Sequence, residues 1–158
     1  ISVRKNLLLP PAEDDFRLNA DGFGRSEVAS VRLFPGISPE ILENILQKPL
    51  KGLVLESFGS GNGPSQDREF LDVLAAAAQR GVVLVNCTQC PRGMVREDYE
   101  AGVSLRRAGV VSGLDMTAEA ALSKLYCLIK RGFGPEEVRR LMQENMRGEL
   151  TSPGRVLA

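Results

Sequence analysis

The stretch GLVLESFGSGNGP, residues 52–64, decides the fold because it joins an apolar strand to a glycine-rich loop. Residues 52–58 are largely aliphatic, which is typical of a strand that is covered on both faces of a parallel sheet. Three glycines, an asparagine and a closing proline follow. Loops at the carboxyl ends of parallel strands hold ligands in open α/β sheets, so this loop is the first candidate for a binding site.

Strand and helix patterns alternate along the chain from Val28 onward. The predicted strands are 28–34, 52–58, 82–87 and 109–111, and the predicted helices are one that begins at Ser38 and four others over 67–80, 98–107, 117–130 and 135–146. Ser38 and Thr117 carry the hydroxyl groups that are typical of helix N-caps. The alternation predicts an α/β fold, a Rossmann-like three-layer domain around a roughly four-stranded parallel sheet.

Apolar spacing predicts which helix faces are buried. In the helix after Ser38, we expect a buried stripe formed by Ile41, Leu42, Ile45 and Leu46. Cys127 lies within the apolar pattern of residues 117–130, so we expect its thiol in the core.

The first residues of the chain differ from the body that follows. Residues 1–27 contain adjacent prolines, an acidic run and two glycines, and we predict that they form an interdomain linker or edge segment. Residues 28–158 are predicted to form the α/β domain. The chain begins with Ile1 in place of methionine, which we interpret as the sign of a fragment or a processed chain.

Composition argues against several classes of function. Lys and Arg number 20 and balance 20 Asp and Glu, and aromatic residues make up only 5%, so we expect no nucleic-acid partner. No apolar run approaches the roughly 20 residues that span a bilayer, so we expect no membrane partner. The chain has no histidine, which excludes imidazole as a general base or as part of a nucleophile pair.

The glycine loop itself matches neither of two familiar phosphate-binding patterns. Position 64 is proline where a dinucleotide fingerprint needs its third glycine, and the Lys-Ser/Thr of a P-loop is absent. Asn62 offers an amide with both donors and an acceptor, and Gly61 allows close backbone approach. Two interpretations stay open for this loop, a small-molecule site and a purely structural turn.

The segment CTQC, residues 87–90, has the spacing of a redox motif. Cys87, however, ends an apolar strand and Pro91 follows Cys90, whereas a reactive first cysteine lies exposed at a helix N-terminus. No second CxxC and no histidine completes a zinc site, so we expect no metal. An odd, sparse set of three cysteines favours free thiols in a reducing, cytoplasmic setting. Glu56, a carboxylate within an apolar strand, must either pair with a cation or face a site.

Five blocks of the sequence together resemble one known family. They are VRLFPGISPEILENIL, LESFGSGNGP, VVLVNCTQC, AGVVSGLDMTAEAALSKL and RGELT. In this order and spacing they resemble the C-terminal domain of cytoplasmic-type (type I) L-asparaginases, and the animal-type enzymes most. The resemblance covers essentially the whole chain.

This resemblance implies an amidohydrolase that converts L-asparagine to L-aspartate and ammonia without a metal or organic cofactor. Members of the family use a threonine nucleophile in a TGGTI-type segment, followed by a Thr-Asp pair and a lysine, all in the N-terminal domain. This chain contains neither a TGGT segment nor a Thr-Asp dipeptide. We therefore expect the isolated chain to be inactive, and its partners to be L-asparagine, an N-terminal asparaginase domain and further copies in a homodimer or homotetramer.

The resemblance also implies roles for particular residues. Asn62, with Gly61 beside it, would reach from one subunit into the substrate site of its neighbour, and Tyr99 falls near the place of a second such residue. Cys90 matches a cysteine of the allosteric asparagine site that some bacterial type I enzymes possess. Glu56 stands where those enzymes have an arginine, so the charge of this regulatory site is reversed.

Two other functions remain as alternatives at this point. The first is the asparaginase-like subunit of a tRNA-dependent amidotransferase, which shares some of these blocks. The second is a non-catalytic module that binds amino acids or forms dimers and has retained the fold.

Overall fold

The structure, a computed structural model, describes residues 24–96 and 100–151. The elements within these residues are β1 (Val28–Arg32), α1 (Pro39–Ile45), β2 (Gly52–Ser57), α2 (Arg68–Gln79), β3 (Val83–Thr88), α3 (Glu100–Arg107), β4 (Val110–Ser112), α4 (Ala118–Lys130) and α5 (Pro135–Met142). The strands form one parallel sheet in the order β1-β2-β3-β4. The predicted α/β fold with a four-stranded parallel sheet is therefore confirmed.

Helices cover both faces of the sheet, and they come from different parts of the chain. Right-handed crossovers that all step the same way place α1, α2 and α3 on one face, and α4 and α5 then cover the other. Side chains of β2 alternate between the two cores, with Leu53 and Leu55 under α1–α3 and Val54 under α4–α5. Because all four strands are parallel, their carboxyl ends lie along one edge of the sheet, which we call the carboxyl edge.

Side-chain caps fix the starts of three helices at this carboxyl edge. The Ser38 hydroxyl accepts from Ile41 N at 3.4 Å, and the Thr117 hydroxyl accepts from Ala120 N at 3.2 Å. The Asp67 carboxylate caps α2 in the same manner. The predicted caps at Ser38 and Thr117 are confirmed, and each satisfies an N–H group that the first turn leaves free.

Two predicted helix features are wrong. Ile41 is 46% exposed, because α1 is short and only its Leu42–Leu46 side meets the sheet. Cys127 is half-buried, since it lies at the flank of α4 rather than on the side that carries Leu125.

The last helix is shorter than predicted, ending at Met142 and not at 146. The Asn145 side chain forms a turn in its place, accepting from Gly148 N at 2.7 Å and donating to Leu150 O at 2.7 Å. Asparagine competes with helical hydrogen bonding in this way through its short polar side chain.

A buried ion pair fastens this C-terminal turn to α4. Lys124 Nζ lies 2.6 Å from Glu149 Oε1, and the two side chains are only 7% and 13% exposed. Burial raises the pKa of Glu149, but hydrogen bonds from Lys124 and from backbone N–H groups lower it by more, so the net pKa is below its usual 4.5. Burial lowers the pKa of Lys124, against the pull of Glu149. The pair is therefore held by several hydrogen bonds as well as by charge.

Of the helices in the described part of the chain, none combines the length and the apolar character needed to cross a membrane.

Candidate functional site at the carboxyl edge

The glycine loop after β2 is a tight turn closed by backbone hydrogen bonds. Phe58 and Asn62 face each other as an antiparallel bridge, with Asn62 N donating to Phe58 O at 2.7 Å and Phe58 N donating to Asn62 O at 2.8 Å. Gly61 N donates to the same Phe58 carbonyl at 3.0 Å. These three bonds fix residues 59–61 as a tight turn at the end of the strand.

Gly61 is the buried residue of this turn, and its backbone has a conformation that only glycine adopts readily. Its φ is +105°, and a Cβ atom placed on it would lie 2.7 Å from Val95 Cγ1 and 3.1 Å from Asn86 Nδ2. Any side chain at this position would therefore both strain the backbone and collide with its neighbours.

Buried polar side chains from β2 and β3 hold the loop from below. Asn86 Nδ2 donates to Gly61 O at 3.0 Å, and Asn86 Oδ1 accepts from the Ser57 hydroxyl at 2.6 Å. The Thr88 hydroxyl donates to Gly59 O. These supporting residues were not predicted from the sequence. The one indication was that Asn86, a polar residue, lies within the otherwise apolar run VVLVNC.

Asn62 lies on the exposed side of the loop, and its Nδ2 atom lies 3.8 Å from the position of a Cβ placed on Gly59. The residue is exposed, and within the described part of the chain its side chain forms no hydrogen bond. Its four hydrogen-bonding positions are therefore available to a ligand or to another protein surface. The structure thus places Gly61 and Asn62 side by side where the loop closes, while Tyr99 lies outside the described residues.

Glu56 and Cys90 meet in a separate cavity of about 430 Å³ on the α4 face of the sheet. Its charged lining residues are Arg32, Glu56, Arg92, Asp115 and Glu119. Glu56 Oε1 accepts from the Ser30 hydroxyl at 2.7 Å, and Glu56 Oε2 lies 3.3 Å from Arg32 Nε. The sequence predicted that the Glu56 carboxylate would either pair with a cation or face a site. In the structure it pairs with Arg32 and also lines the cavity.

The pleat of β2 separates this cavity from the glycine loop. Glu56 points toward α4, whereas Ser57, the next residue, points toward α1–α3 and supports the loop through Asn86. Neither Gly61 nor Asn62 lines the cavity. Glu56 and Cys90 therefore line one cavity together, whereas Gly61 and Asn62 lie together in the glycine loop and outside that cavity.

Asp115, two residues before the α4 cap Thr117, contacts the end of the described chain. Its carboxylate accepts from Thr151 N at 2.8 Å and from the Thr151 hydroxyl. This contact ties the end of the described chain to the start of α4.

The cysteines are free thiols with different surroundings. Burial, with a smaller contribution from the negative charge of Glu56, raises the pKa of Cys87 to about 12. Such a thiol stays protonated at neutral pH and is a poor nucleophile. Cys90 is exposed at the cavity rim. Among the described residues, no group of three acidic, cysteine or histidine side chains is arranged to hold a metal ion.

The chain is similar in sequence to proteins of known family. A profile of the Glutaminase/Asparaginase C-terminal domain matches residues 27–142. The human "60 kDa lysophospholipase" is 48% identical over 128 residues, which are 80% of this chain and 22% of that protein. "L-asparaginase 1" of Escherichia coli (strain K12) is 45% identical over 125 residues, 78% of this chain and 37% of that protein.

A solved structure gives the same result in three dimensions. The crystal structure of L-asparaginase I from Vibrio cholerae superposes with a TM-score of 0.76 at 44% identity, covering 80% of this chain and 38% of that one. The chain thus spans between 22% and 38% of the length of these three proteins.

Proposed function

This chain belongs to the glutaminase/asparaginase C-terminal domain family, and we propose that it serves an enzyme that hydrolyses L-asparagine to L-aspartate and ammonia. The similarity to L-asparaginases of known sequence and structure confirms the resemblance seen in the sequence. The observation that carries the proposal is that Asn62 is exposed while its backbone is held by the hydrogen bonds that close the turn.

The arrangement suits a half-site better than a complete active site. Asn62 is exposed in the loop at the carboxyl edge, and the chain lacks the TGGT segment that the resemblance associates with the nucleophile. We propose that Asn62 enters the substrate site of a neighbouring subunit in a homodimer or homotetramer, where an N-terminal domain supplies the nucleophilic threonine. The isolated chain is then inactive.

The chemistry of the contact follows from the groups available. L-asparagine carries an ammonium and a carboxylate, and an amide can accept from the first or donate to the second. We assign Asn62 to the α-amino end of the substrate, with Gly61 permitting close approach and Tyr99 as a second contact from the same subunit. Neither a metal nor an organic cofactor takes part in this proposal.

The test is asparagine hydrolysis by the complete protein, in which this chain is joined to its N-terminal domain. We expect Asn62→Ala to lower kcat/KM by about tenfold or more, because a positioned polar contact in a dry site contributes on the order of 1.5–3 kcal/mol. Ser60→Ala in the same loop is the matched control, since that side chain forms no hydrogen bond within the described residues. Equal kinetics for Asn62→Ala and wild type would refute the role of Asn62.

The same preparation separates the alternatives. Ammonia release that required ATP and tRNA would favour the amidotransferase subunit, and asparagine binding without turnover would favour a non-catalytic module. Because one relative is named a lysophospholipase, fatty-acid release from a lysophospholipid is measured in parallel. We expect ammonia release alone, in a protein whose three free thiols suit the cytoplasm.

We further propose that the cavity containing Glu56 and Cys90 is the regulatory site of this domain, with altered specificity. The Glu56 carboxylate would repel the carboxylate of asparagine, so binding in the manner implied for the bacterial enzymes is disfavoured. Calorimetric titration of this chain with L-asparagine tests the point. We expect no binding by the wild type, whereas binding that Cys90→Ala abolishes would contradict the charge argument.

A further inference from the structure

Among the residues that the structure describes, Asn86 is the side chain that connects the sheet to the backbone next to Asn62. It is 3% exposed, and both ends of its amide are used, Nδ2 toward Gly61 O at 3.0 Å and Oδ1 toward the Ser57 hydroxyl at 2.6 Å. The Ser57 hydroxyl also lies 3.0 Å from Cys87 O. A buried amide that is bonded at both its nitrogen and its oxygen is held in one orientation, and it holds in turn the group that it binds.

The bond to Gly61 matters because of where it acts. The carbonyl of Gly61 and the N–H of Asn62 belong to one planar peptide group, so fixing the carbonyl also fixes the start of the Asn62 backbone. The opposite side of that peptide is held by the bond from Asn62 N to Phe58 O at 2.7 Å. With both sides held, little freedom remains at the point where the Asn62 side chain begins.

We propose that Asn86 is a positioning residue for Asn62, acting through the Gly61 carbonyl and never touching substrate. The proposal rests on the proposed function of Asn62. It predicts that the exposed amide is presented in a fixed direction before a partner subunit or substrate arrives. Small displacements of such a contact reduce rates severely, by roughly 100-fold for about 1 Å.

The decisive variant is Asn86→Asp, which preserves the size of the side chain. A carboxylate can still accept from Ser57, but toward Gly61 O it presents an acceptor where a donor is needed. Ser57→Ala is the milder second variant, because it removes the bond that orients Asn86 and leaves the donor in place. Val138→Ala is the matched control for general destabilisation, since Val138 is fully buried on the opposite face of the sheet.

Two measurements are made on each variant. One is kcat/KM for asparagine in the complete protein, and the other is hydrogen exchange of the Gly61 and Asn62 amides in this chain. We expect Asn86→Asp to lower kcat/KM by about tenfold or more and to speed exchange at both amides. Ser57→Ala should change both measurements in the same direction by less, and Val138→Ala should change neither at a temperature where it is folded.

The outcomes separate this inference from the proposed function. If Asn62→Ala is impaired while Asn86→Asp matches wild type in kcat/KM, the positioning role is overturned and the function of Asn62 stands. If Val138→Ala is impaired as much as Asn86→Asp, the effect is one of stability and the inference is again overturned. If Asn62→Ala itself retains full kcat/KM, the proposed function fails and the inference fails with it.

Discussion

Replacing Gly61 with alanine tests whether the glycine loop is built as described. The φ of +105° strains any L-residue by about 1–3 kcal/mol. The new methyl group would lie 2.7 Å from Val95 Cγ1, and relieving such overpacking costs a further 1–3 kcal/mol or so. The two effects are separate, so Gly61→Ala should lower the free energy of unfolding by about 2–6 kcal/mol.

Alanine substitutions at two other glycines distinguish the cost of backbone strain from the cost of steric overlap. Gly36 has a φ of +84° with nothing within 4 Å of an added Cβ, so Gly36→Ala should show strain alone, about 1–2 kcal/mol. Gly24 is open in space and its φ lies outside the left-handed region. Gly24→Ala should therefore change the free energy of unfolding by less than about 0.5 kcal/mol.

Urea denaturation of this chain measures all three variants on one scale. A lower midpoint with an unchanged m-value reports lost stability and not a change in the surface exposed on unfolding. The expected order of loss is Gly61, then Gly36, then Gly24. A Gly61→Ala variant that lost no more stability than Gly36→Ala would refute the close packing of the loop against Val95.

Three further predictions concern other parts of the molecule. Glu149→Gln should cost about 3–5 kcal/mol in urea denaturation, because it leaves the ammonium of Lys124 buried without its charge partner. Because the pKa of Glu149 is lowered on folding, the ionised carboxylate stabilises the folded protein above pH 4.5, and this stabilisation is lost as the pH falls through the folded-state pKa. The free energy of unfolding of Glu149→Gln should therefore fall less than that of the wild type over this acid range. An equal fall in both proteins would contradict the assignment. At neutral pH, iodoacetamide should label Cys90 in the folded chain and Cys87 only after unfolding, which mass spectrometry of the peptides would show. Labelling of Cys87 in the folded chain would mean that β3 opens readily. Thr117→Ala should lower the urea midpoint by an amount equivalent to about 1 kcal/mol through loss of the α4 cap, and an unchanged midpoint would show that the cap contributes nothing.

Those parts of the fold that depend on local sequence could be predicted from the sequence alone. The apolar run at residues 82–87 needs burial on both faces, and the hydroxyls of Ser38 and Thr117 act on the N–H groups of their own helices. Alternation of such elements restricts the fold to α/β with a parallel sheet, whereas the strand order β1-β2-β3-β4 is known only from the structure. The position of the glycine loop at the carboxyl edge follows directly.

Features that depend on contacts between distant residues could not be predicted. The end of α5 is set by Asn145 together with Glu149, and Glu149 is held in turn by Lys124 from another helix. Asn86 supports Gly61 across 25 residues of chain, and one-dimensional spacing gives no sign of that bond. The exposure of Ile41 depends on how little of α1 the sheet covers, which is again a property of the assembled layers.

The central claim is that Asn62 of one subunit completes the substrate site of another, and mixed subunits test it most directly. One complete protein carries Asn62→Ala, a second carries a disabled threonine nucleophile in its N-terminal domain, and the two are unfolded and refolded together. If Asn62 acts across the interface, mixed dimers regain one intact site, and random mixing should restore about a quarter of wild-type activity from one strongly impaired and one inactive parent. If activity after mixing stays at the level of the parents while mixed dimers are shown to form, Asn62 acts within its own subunit or not at all, and the half-site account is wrong.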